Sequence, residues 1–564
     1  MFVLISLVCQ SILASIVNDD IKREFDVKGD ALFIRYTIDF HLEDQKPDGA
    51  FYDFFLEYPV VKLSMVSFTL NGLPLQATFV EDENMYRIQL PKSIDGDETV
   101  TLHANVIYVH VLEPRPRQHT QDETAFVELL GSLVFPSPYP TTADSIIVHI
   151  HTDTILSHSE ELQINQDKGR CKSSNGDVEP NTKIPFSIRY ANPSPLLTIS
   201  RYTRDVTISH GTDCHVEETY GVKNAGSKLI GEFNKFKTMV TPPSDSNIVR
   251  KYNLNIPKSS TNLYYRDEIG NISTSTVHAF NWESNQTGYL EMELEPRFHL
   301  WGGWKSTFYT GWNVGLSEFK RARELVTTSI QTKPSFFYSD EQSEVDSFQN
   351  DKSFKTAALP AREHTLVVPL AASMTYTPAN VGILRLALPE GAKNVRCWAN
   401  GFGSYNAVPI ELVYDEEENN EEWDKKVEAV RIGSEPSYWE ELAGDLTFYK
   451  EKDRGTRSLN GMPLDTEGSY KGRKTFSAMD YLGRRTFLFR RHNAINAPMF
   501  ETIVIEYDLP TVFLAHKPLI LIGLLLLFYI GYVILSKFAG WFKSGPLSQA
   551  LPENIVEPRK VKKN

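Results

Sequence analysis

Cysteine is scarce in this chain: 564 residues hold four, at Cys9, Cys171, Cys214 and Cys397. No C-x-x-C pair and no Cys/His cluster at zinc spacing occurs, which removes the metal modules those spacings build. The strings that carry familiar chemistries are missing too. There is no H-E-x-x-H, no G-x-S-x-G, no P-loop and no G-x-G-x-x-G. The nearest approach, His215-Val216-Glu217-Glu218-Thr219, lacks the second histidine, and Gly401-Phe402-Gly403-Ser404 is a glycine-rich turn with nothing phosphate-specific in it. Net positive charge is also lacking. Fifty-eight Lys and Arg stand against 72 Asp and Glu, for a formal charge of −14, and an acidic body repels nucleic acid. No sustained heptad and no internal repeat is visible.

What remains of possible chemistry is thin. His149 and His151 alternate on one strand face without a third ligand in view. The pairs Glu217-Glu218 and Asp267-Glu268 are neighbours, and neighbours on a strand point to opposite faces, so neither is an acid/base couple. Salt bridges and turn contacts are their expected use. No catalytic residue, metal or cofactor is expected.

Aromatic and apolar residues are abundant. With 12% aromatic and 41% hydrophobic residues, the chain can fill large cores, and its rings suit a pleated surface. Ile34, Tyr36, Ile38 and Phe40 alternate with Arg35, Thr37 and Asp39, the period-2 signature of a half-buried strand over Leu32–His41. Thr99–Val111 repeats the pattern, and Ser145–His151 and Thr502–Asp508 read as further strands. Turn pairs such as Asn71-Gly72 and Asp95-Gly96 separate such runs. Many short strands with few helices favour a mainly β fold of sandwich type. A first β domain is expected over 16–225 and a second over 226–510. The latter carries an acidic, flexible insertion at about 413–470 that begins near Asp415-Glu416-Glu417-Glu418.

Two apolar segments address the membrane. Residues 1–15 read as a signal peptide, with an apolar run from Phe2 to Val8 and small Ala14 and Ser15 behind it. The uncharged run 518–536 is just long enough to cross a bilayer as a single helix. From Lys537 onward six basic residues face two acidic ones, so the tail 537–564 is +4 and, against a total of −14, everything before it is −18. Basic excess after the helix places the tail in the cytosol and the β part on the lumenal side. Lys560 and Lys562 sit at the spacing of a dilysine retrieval signal of the endoplasmic reticulum. Without Cys9 three cysteines remain, enough for one disulfide; Cys171 and Cys214 are the pair nearest in sequence and the candidate. Asn271 and Asn285 head two N-x-Ser/Thr sequons.

The middle of the chain is more specific. Tyr264-Tyr265-Arg266-Asp267-Glu268-Ile269-Gly270-Asn271, then Pro296-Arg297-Phe298, then Trp301-Gly302-Gly303-Trp304-Lys305 closely resembles the ribophorin I family. Ser137-Pro138-Tyr139-Pro140-Thr141, Thr203-Arg204-Asp205-Val206, Leu388-Pro389-Glu390-Gly391 and Asp480-Tyr481-Leu482-Gly483-Arg484 keep the family's order on either side. The resemblance implies two lumenal β-sandwich-like domains followed by a single transmembrane helix, in the endoplasmic reticulum membrane. It implies a non-catalytic subunit of the oligosaccharyltransferase complex, whose catalytic centre lies in a separate multi-span subunit. Partners would be the other subunits, nascent polypeptides and the lipid bilayer, with no nucleic acid. Tyr265, Arg266, Asp267, Glu268, Gly270, Arg297, Gly302, Gly303 and Trp304 are then family-motif residues expected to hold structure. Trp301 and Trp304 would be core or interface rings, with sugar stacking as their alternative role. The long coiled-coil tail of animal members has no counterpart in the 28 residues after the helix. A type I receptor or cargo adaptor is the rival reading.

Overall fold

The computed structural model describes residues 16–544 except 43–50, 71–72, 76, 81–82, 92–98, 153, 166–168, 210–212, 241–245, 280–288, 317–363, 401–409, 414–455, 460–463, 466–472, 477–479, 481–482 and 497–501. The signal peptide, the turns Asn71-Gly72 and Asp95-Gly96, Asn285, Gly401–Ser404, most of 413–470, and Lys560 and Lys562 lie outside the described residues.

The chain is mainly β, and the alternation read from the sequence is what folds. Ile34, Tyr36, Ile38 and Phe40 are all buried in the strand Ala31–Leu42. Val100, Leu102, Ala104, Val106 and Tyr108 are likewise buried in Val100–Val109. In the first half, the hairpin Ile16–Lys28 and Ala31–Leu42 starts an antiparallel sheet that continues through Val100–Val109 to Leu63–Leu70. On its other side Ile16–Lys28 runs parallel to Thr141–His149, which pairs with Arg170–Val178. Two smaller sheets cover the inner face. One is ordered Phe51–Phe55, Met85–Gln89, Ala77–Val80; the other joins Ile155–His158, Pro185–Tyr190 and Phe126–Ser132.

The second half repeats this plan strand for strand. The hairpin Leu197–Ile208 and Asp213–Asn224 continues through Lys305–Gly315 to Thr261–Asp267, and Leu197–Ile208 runs parallel to Ala379–Ala387, which pairs with Arg484–Ala494. Tyr252–Pro257, Tyr289–Leu294 and Ser275–Ala279 form the first covering sheet; Lys393–Asn400, Thr502–Asp508 and His364–Pro369 form the second. Twelve strands of each half correspond in chain order, in neighbour and in direction.

Two large apolar cores result, one from Ile16 to Leu196 and one from Ile199 to Leu509. The break therefore falls near residue 197 and not at 225. The hairpin 197–224 is hydrogen-bonded into the second large sheet, and Ile199, Tyr202, Val216 and Tyr220 fill the second core. The expectation of an unstructured insertion at 413–470 is also corrected at its described margins. Thr456–Leu459 pairs with Ile410–Val413, and Leu464–Asp465 pairs with Cys397 and Arg396. Those segments have little strand signal of their own; an available sheet edge supplies the pairing.

The outer faces of the two large sheets meet. Ala31, Phe33, Met65, Ile107 and Val109 pack with Ile495, while Val381 and Ile383 receive Val61. Asn493 donates to the carbonyls of Val61 at 2.8 Å and Leu63 at 3.1 Å, and Ser64 donates to the Asn493 carbonyl at 2.6 Å. On the strand that carries this contact, burial first and then the Arg490 charge push His492 down to about 3. The sign follows directly. Between the ordinary value near 6.5 and about 3 the unfolded chain binds a proton that the folded chain refuses, so stability is full above the ordinary value and falls with pH. His492→Gln should flatten that decline by about 2–4 °C for each kcal/mol recovered, read as the thermal midpoint between pH 7 and pH 4.

The helix Thr511–Ser544 follows the last strand after two residues. Its stretch Lys517–Phe538 is long and apolar enough to cross a membrane and is not buried against the rest of the chain. Its first turns are docked. The Phe513 ring lies over Gly391, where an added Cβ would come within 2.3 Å of it. Lys517 Nζ meets Asp480 Oδ1 at 2.8 Å, and Arg484 Nε donates to Asp480 Oδ2 at 2.9 Å. The Asp480–Arg484 motif thus clamps the helix base. Asp480→Asn removes the charge that both cations share; at about 1.5–3 kcal/mol for a charged hydrogen bond, amide exchange over 511–517 should accelerate at least tenfold.

Candidate functional site: a glycine–tryptophan clamp between the two halves

The family-motif residues gather in two linked places. At the first, Asp267 closes a turn by accepting from the amides of Ile269 and Gly270, each at 3.0 Å. Gly270 takes φ +141°, a conformation that favours glycine. Arg297 reaches across from a distant segment. It pairs with the Asp267 carboxylate and donates to the carbonyls of Gly270 at 3.2 Å and Asn271 at 3.1 Å. The Arg297 hydrogen bond, first among several causes, holds the Asp267 carboxyl below its usual range. Tyr265 points inward and meets the Phe308 ring edge-on at 5.6 Å, while Arg266 lies over the Tyr264 ring at 5.1 Å. Glu268 is exposed, and Asn271 is presented on the surface just beyond the turn.

The second place lies where the halves meet, around fully buried Asn224. Its side chain donates to the carbonyls of Asn247 and Leu300 at 3.0 Å and accepts from the Gly226 amide at 3.0 Å. Its backbone bonds to Gly303 and Trp304. Gly302 is pressed against residue 227 so closely that a Cβ would sit 1.6 Å from the Ser227 carbonyl oxygen, and Gly303 has φ +83°. Trp301 is buried beside His119 of the first half, ring centroids 6.2 Å apart, and His119 Nδ1 lies 3.1 Å from Ser227 Oγ. Burial keeps that imidazole below its usual value and so neutral. The Lys228 amide donates to the Arg117 carbonyl at 2.9 Å, and Ile230 to His119 at 2.9 Å, so the halves are stitched by backbone as well. Trp304 is half-buried. Phe298, next to Arg297, meets Trp304 at 6.3 Å and links the two places.

The acidic neighbours separate as the strand period requires. Glu218 is buried, hydrogen-bonded by Arg204, Tyr202 and Ser373. Glu217 faces outward and accepts from the Tyr264 hydroxyl at 2.5 Å. Burial first, then this carboxylate, pushes the Tyr264 phenol well up, so it is a donor and not a nucleophile. His151 bonds Asp26 at 2.5 Å, on a different part of the surface. The candidate disulfide is corrected: Cys171 and Cys214 are free, each buried in a different core. Burial pushes their thiols up to about 11 and about 12, and Cys397 to about 12, which leaves all three unreactive. Among the described residues no three His, Cys, Asp or Glu side chains converge. Asn224, His119 and Lys517 were not singled out from the sequence, and Asp480 was read only as part of a family motif; a polar residue at the end of a strand or beside an apolar run gives little signal until its partners are known.

These features define a class: a duplicated β scaffold, stitched at its middle, with an apolar helix docked at its end. The ribophorin I family profile matches residues 16–350, more than half of the chain. The chain belongs to the ribophorin I family. Among curated proteins it is 30% identical over 271 residues to dolichyl-diphosphooligosaccharide–protein glycosyltransferase subunit 1A of Arabidopsis thaliana, covering 47% of this chain and 42% of that one. Subunit 1 of Caenorhabditis elegans is 28% identical over 242 residues, 42% of this chain and 40% of the other. These matches therefore span less than half of either relative. Among solved structures, native yeast LTA4 hydrolase aligns over 34% of this chain and 31% of its own at 10% identity and a TM-score of 0.22, too slight to carry an argument.

Proposed function

We propose that this chain is a non-catalytic subunit of an oligosaccharyltransferase complex, the assembly that moves a lipid-linked oligosaccharide from dolichyl diphosphate to Asn of N-x-Ser/Thr. Its β halves stand on the lumenal side of the endoplasmic reticulum membrane, and the basic residues after the helix lie in the cytosol. Its role is to hold a multi-span catalytic subunit in place and to offer nascent chains to it. The observation that carries this reading is the family's motif set. Asp267, Arg297, Gly302 and Asp480 are all committed to turns, to the junction of the halves or to the helix base. The exposed sequon at Asn271 fits a chain that itself carries a glycan.

The test is affinity purification of the full chain in mild detergent with mass spectrometry of what comes with it. A multi-span transferase subunit is expected in stoichiometric amount, and cells lacking the chain should under-occupy sequons. Recovery of the chain alone, with sequon occupancy unchanged by its removal, would refute the assignment and favour a receptor.

A further inference from the structure

Large apolar side chains are exposed at few places on the described β halves, and five of them sit together beside the clamp. Ile230, Phe233, Phe236, Val240 and Phe298 are each more than 40% exposed, with Phe236 at 75%. Two of them pack on a built feature. Phe233 stands edge-on to Trp304 at 5.3 Å, and Phe298 stands edge-on to the same ring at 6.3 Å. Phe236 and Val240 are four residues apart on the short helix Lys235–Val240, hence on one face. The Gln121 side chain of the first half accepts from the Asn234 amide at 2.9 Å and donates to its carbonyl at 3.2 Å, while the Asn234 side chain caps the helix at the Lys237 amide. Solvated proteins seldom expose a contiguous aromatic patch of this kind, and where they do it marks an interaction site.

A cleft of about 280 Å³ opens alongside, lined by Arg117, Lys223, Lys228, Asn224, Gly303 and a single acid, Glu113. Glu113 is already paired with Arg115 at 2.8 Å. Lys228 joins cleft to shelf, its stem lying against Gly303 between the two tryptophans. Lys235 lies on the helix itself, and Lys237 beside it is paired with Asp122. The chain as a whole carries −14, so this basic rim runs against its general charge.

We infer that this shelf and cleft form the docking surface for an acidic face of another protein subunit, with aliphatic or aromatic side chains seated on Phe233, Phe236 and Phe298 and carboxylates in the cleft. An apolar centre with a charged rim is the anatomy of a stable protein interface, in which aromatic anchors carry the affinity. Charge complementarity selects an acidic partner, and a small ligand would leave the convex helix bare. The inference rests on the subunit reading above and names the surface that reading leaves open.

The experiment places photo-cross-linking p-benzoylphenylalanine at Phe236 in the full chain, with Phe51 of the first half as control, and irradiates the detergent-solubilised assembly. Position 236 should give one protein adduct whose cross-linked peptide carries Asp or Glu, and position 51 should not. Lys228→Glu, and separately Arg117→Glu, should lower the adduct yield about tenfold through like-charge repulsion, in chains that still unfold cooperatively. An adduct with lipid or with a second copy, no adduct from an intact complex, or a yield indifferent to both reversals would overturn the surface while leaving the subunit reading standing. Wild-type chain that purifies alone would overturn both.

Discussion

Arg204→Leu should destabilise the second half by about 3–5 kcal/mol, the cost of stranding one member of a buried ion pair. Against a total stability of about 5–15 kcal/mol, that is enough to lower the thermal midpoint by about 6–20 °C. The site explains the size. Arg204 Nε donates to Glu218 Oε1 at 2.7 Å and Nη1 to the Pro369 carbonyl at 2.6 Å, with the Glu218 side chain fully buried. Tyr202 also donates to Glu218 at 2.7 Å, and Tyr220 donates as well. Without the guanidinium the carboxylate keeps its neutral donors but loses its counter-charge. Replacing both partners, Arg204→Leu with Glu218→Leu, should recover much of the loss, since buried pairs exchanged for apolar groups are often neutral. Unfolding of the four proteins in a double-mutant cycle checks this; a single substitution that costs under 1 kcal/mol would refute it.

The first half contains the corresponding device. Arg23 occupies the same place in the first hairpin, pairs with Glu57 at 3.0 Å and Asp144 at 3.1 Å, and donates to the carbonyl of Ser132 at 2.9 Å. Ser132 ends the strand Phe126–Ser132 as Pro369 ends His364–Pro369. Each arginine therefore ties the first strand of its half to the end of the same covering strand. The carboxylates come from different elements, Glu57 and Asp144 in one case and Glu218 in the other, so the guanidinium and its carbonyl anchor are what the two halves share.

How much of this was legible in the sequence follows from what each feature depends on. Strands were visible because alternation is local. The docked helix was visible as an apolar run. The duplication was not, because it resides in strand order and direction, which are set by pairings over a hundred residues apart and leave no periodic string. For the same reason the hairpin 197–224 reads equally well in either half, and the boundary went to 225. A fainter signal was present: Arg204 is in phase with Tyr202, Val206 and Ile208, and Arg23 with Ile21 and Phe25. A charge on the apolar phase of a strand marks a buried pair, although its partners stay unknown until the fold brings them. The turn at Asp267 was recognisable as a motif, but that Arg297 closes it required the intervening strands to be in place.

Gly302→Ala should be nearly as damaging as Arg204→Leu, although it adds one methyl group. Overpacking in a core costs about 1–3 kcal/mol when side chains can rotate away. Here the obstacle is backbone: the new Cβ would lie 1.6 Å from the Ser227 carbonyl oxygen and 2.6 Å from its carbon, so the two chains must part. Parting them breaks the Leu229-to-Gly302 bond at 3.1 Å and loosens Gly303 from Asn224, bonded at 2.8 Å. Trp301, 1% exposed, should then meet water and shift its emission to the red. Gly303→Ala makes the control: its φ of +83° costs about 1–2 kcal/mol for any L side chain, but the contact it would meet is the flexible Lys228 stem at 3.3 Å. If the two alanines behaved alike, close approach would not be the reason for the first glycine. If only the first opens the junction, the motif's glycine pair divides its work between contact at 302 and conformation at 303.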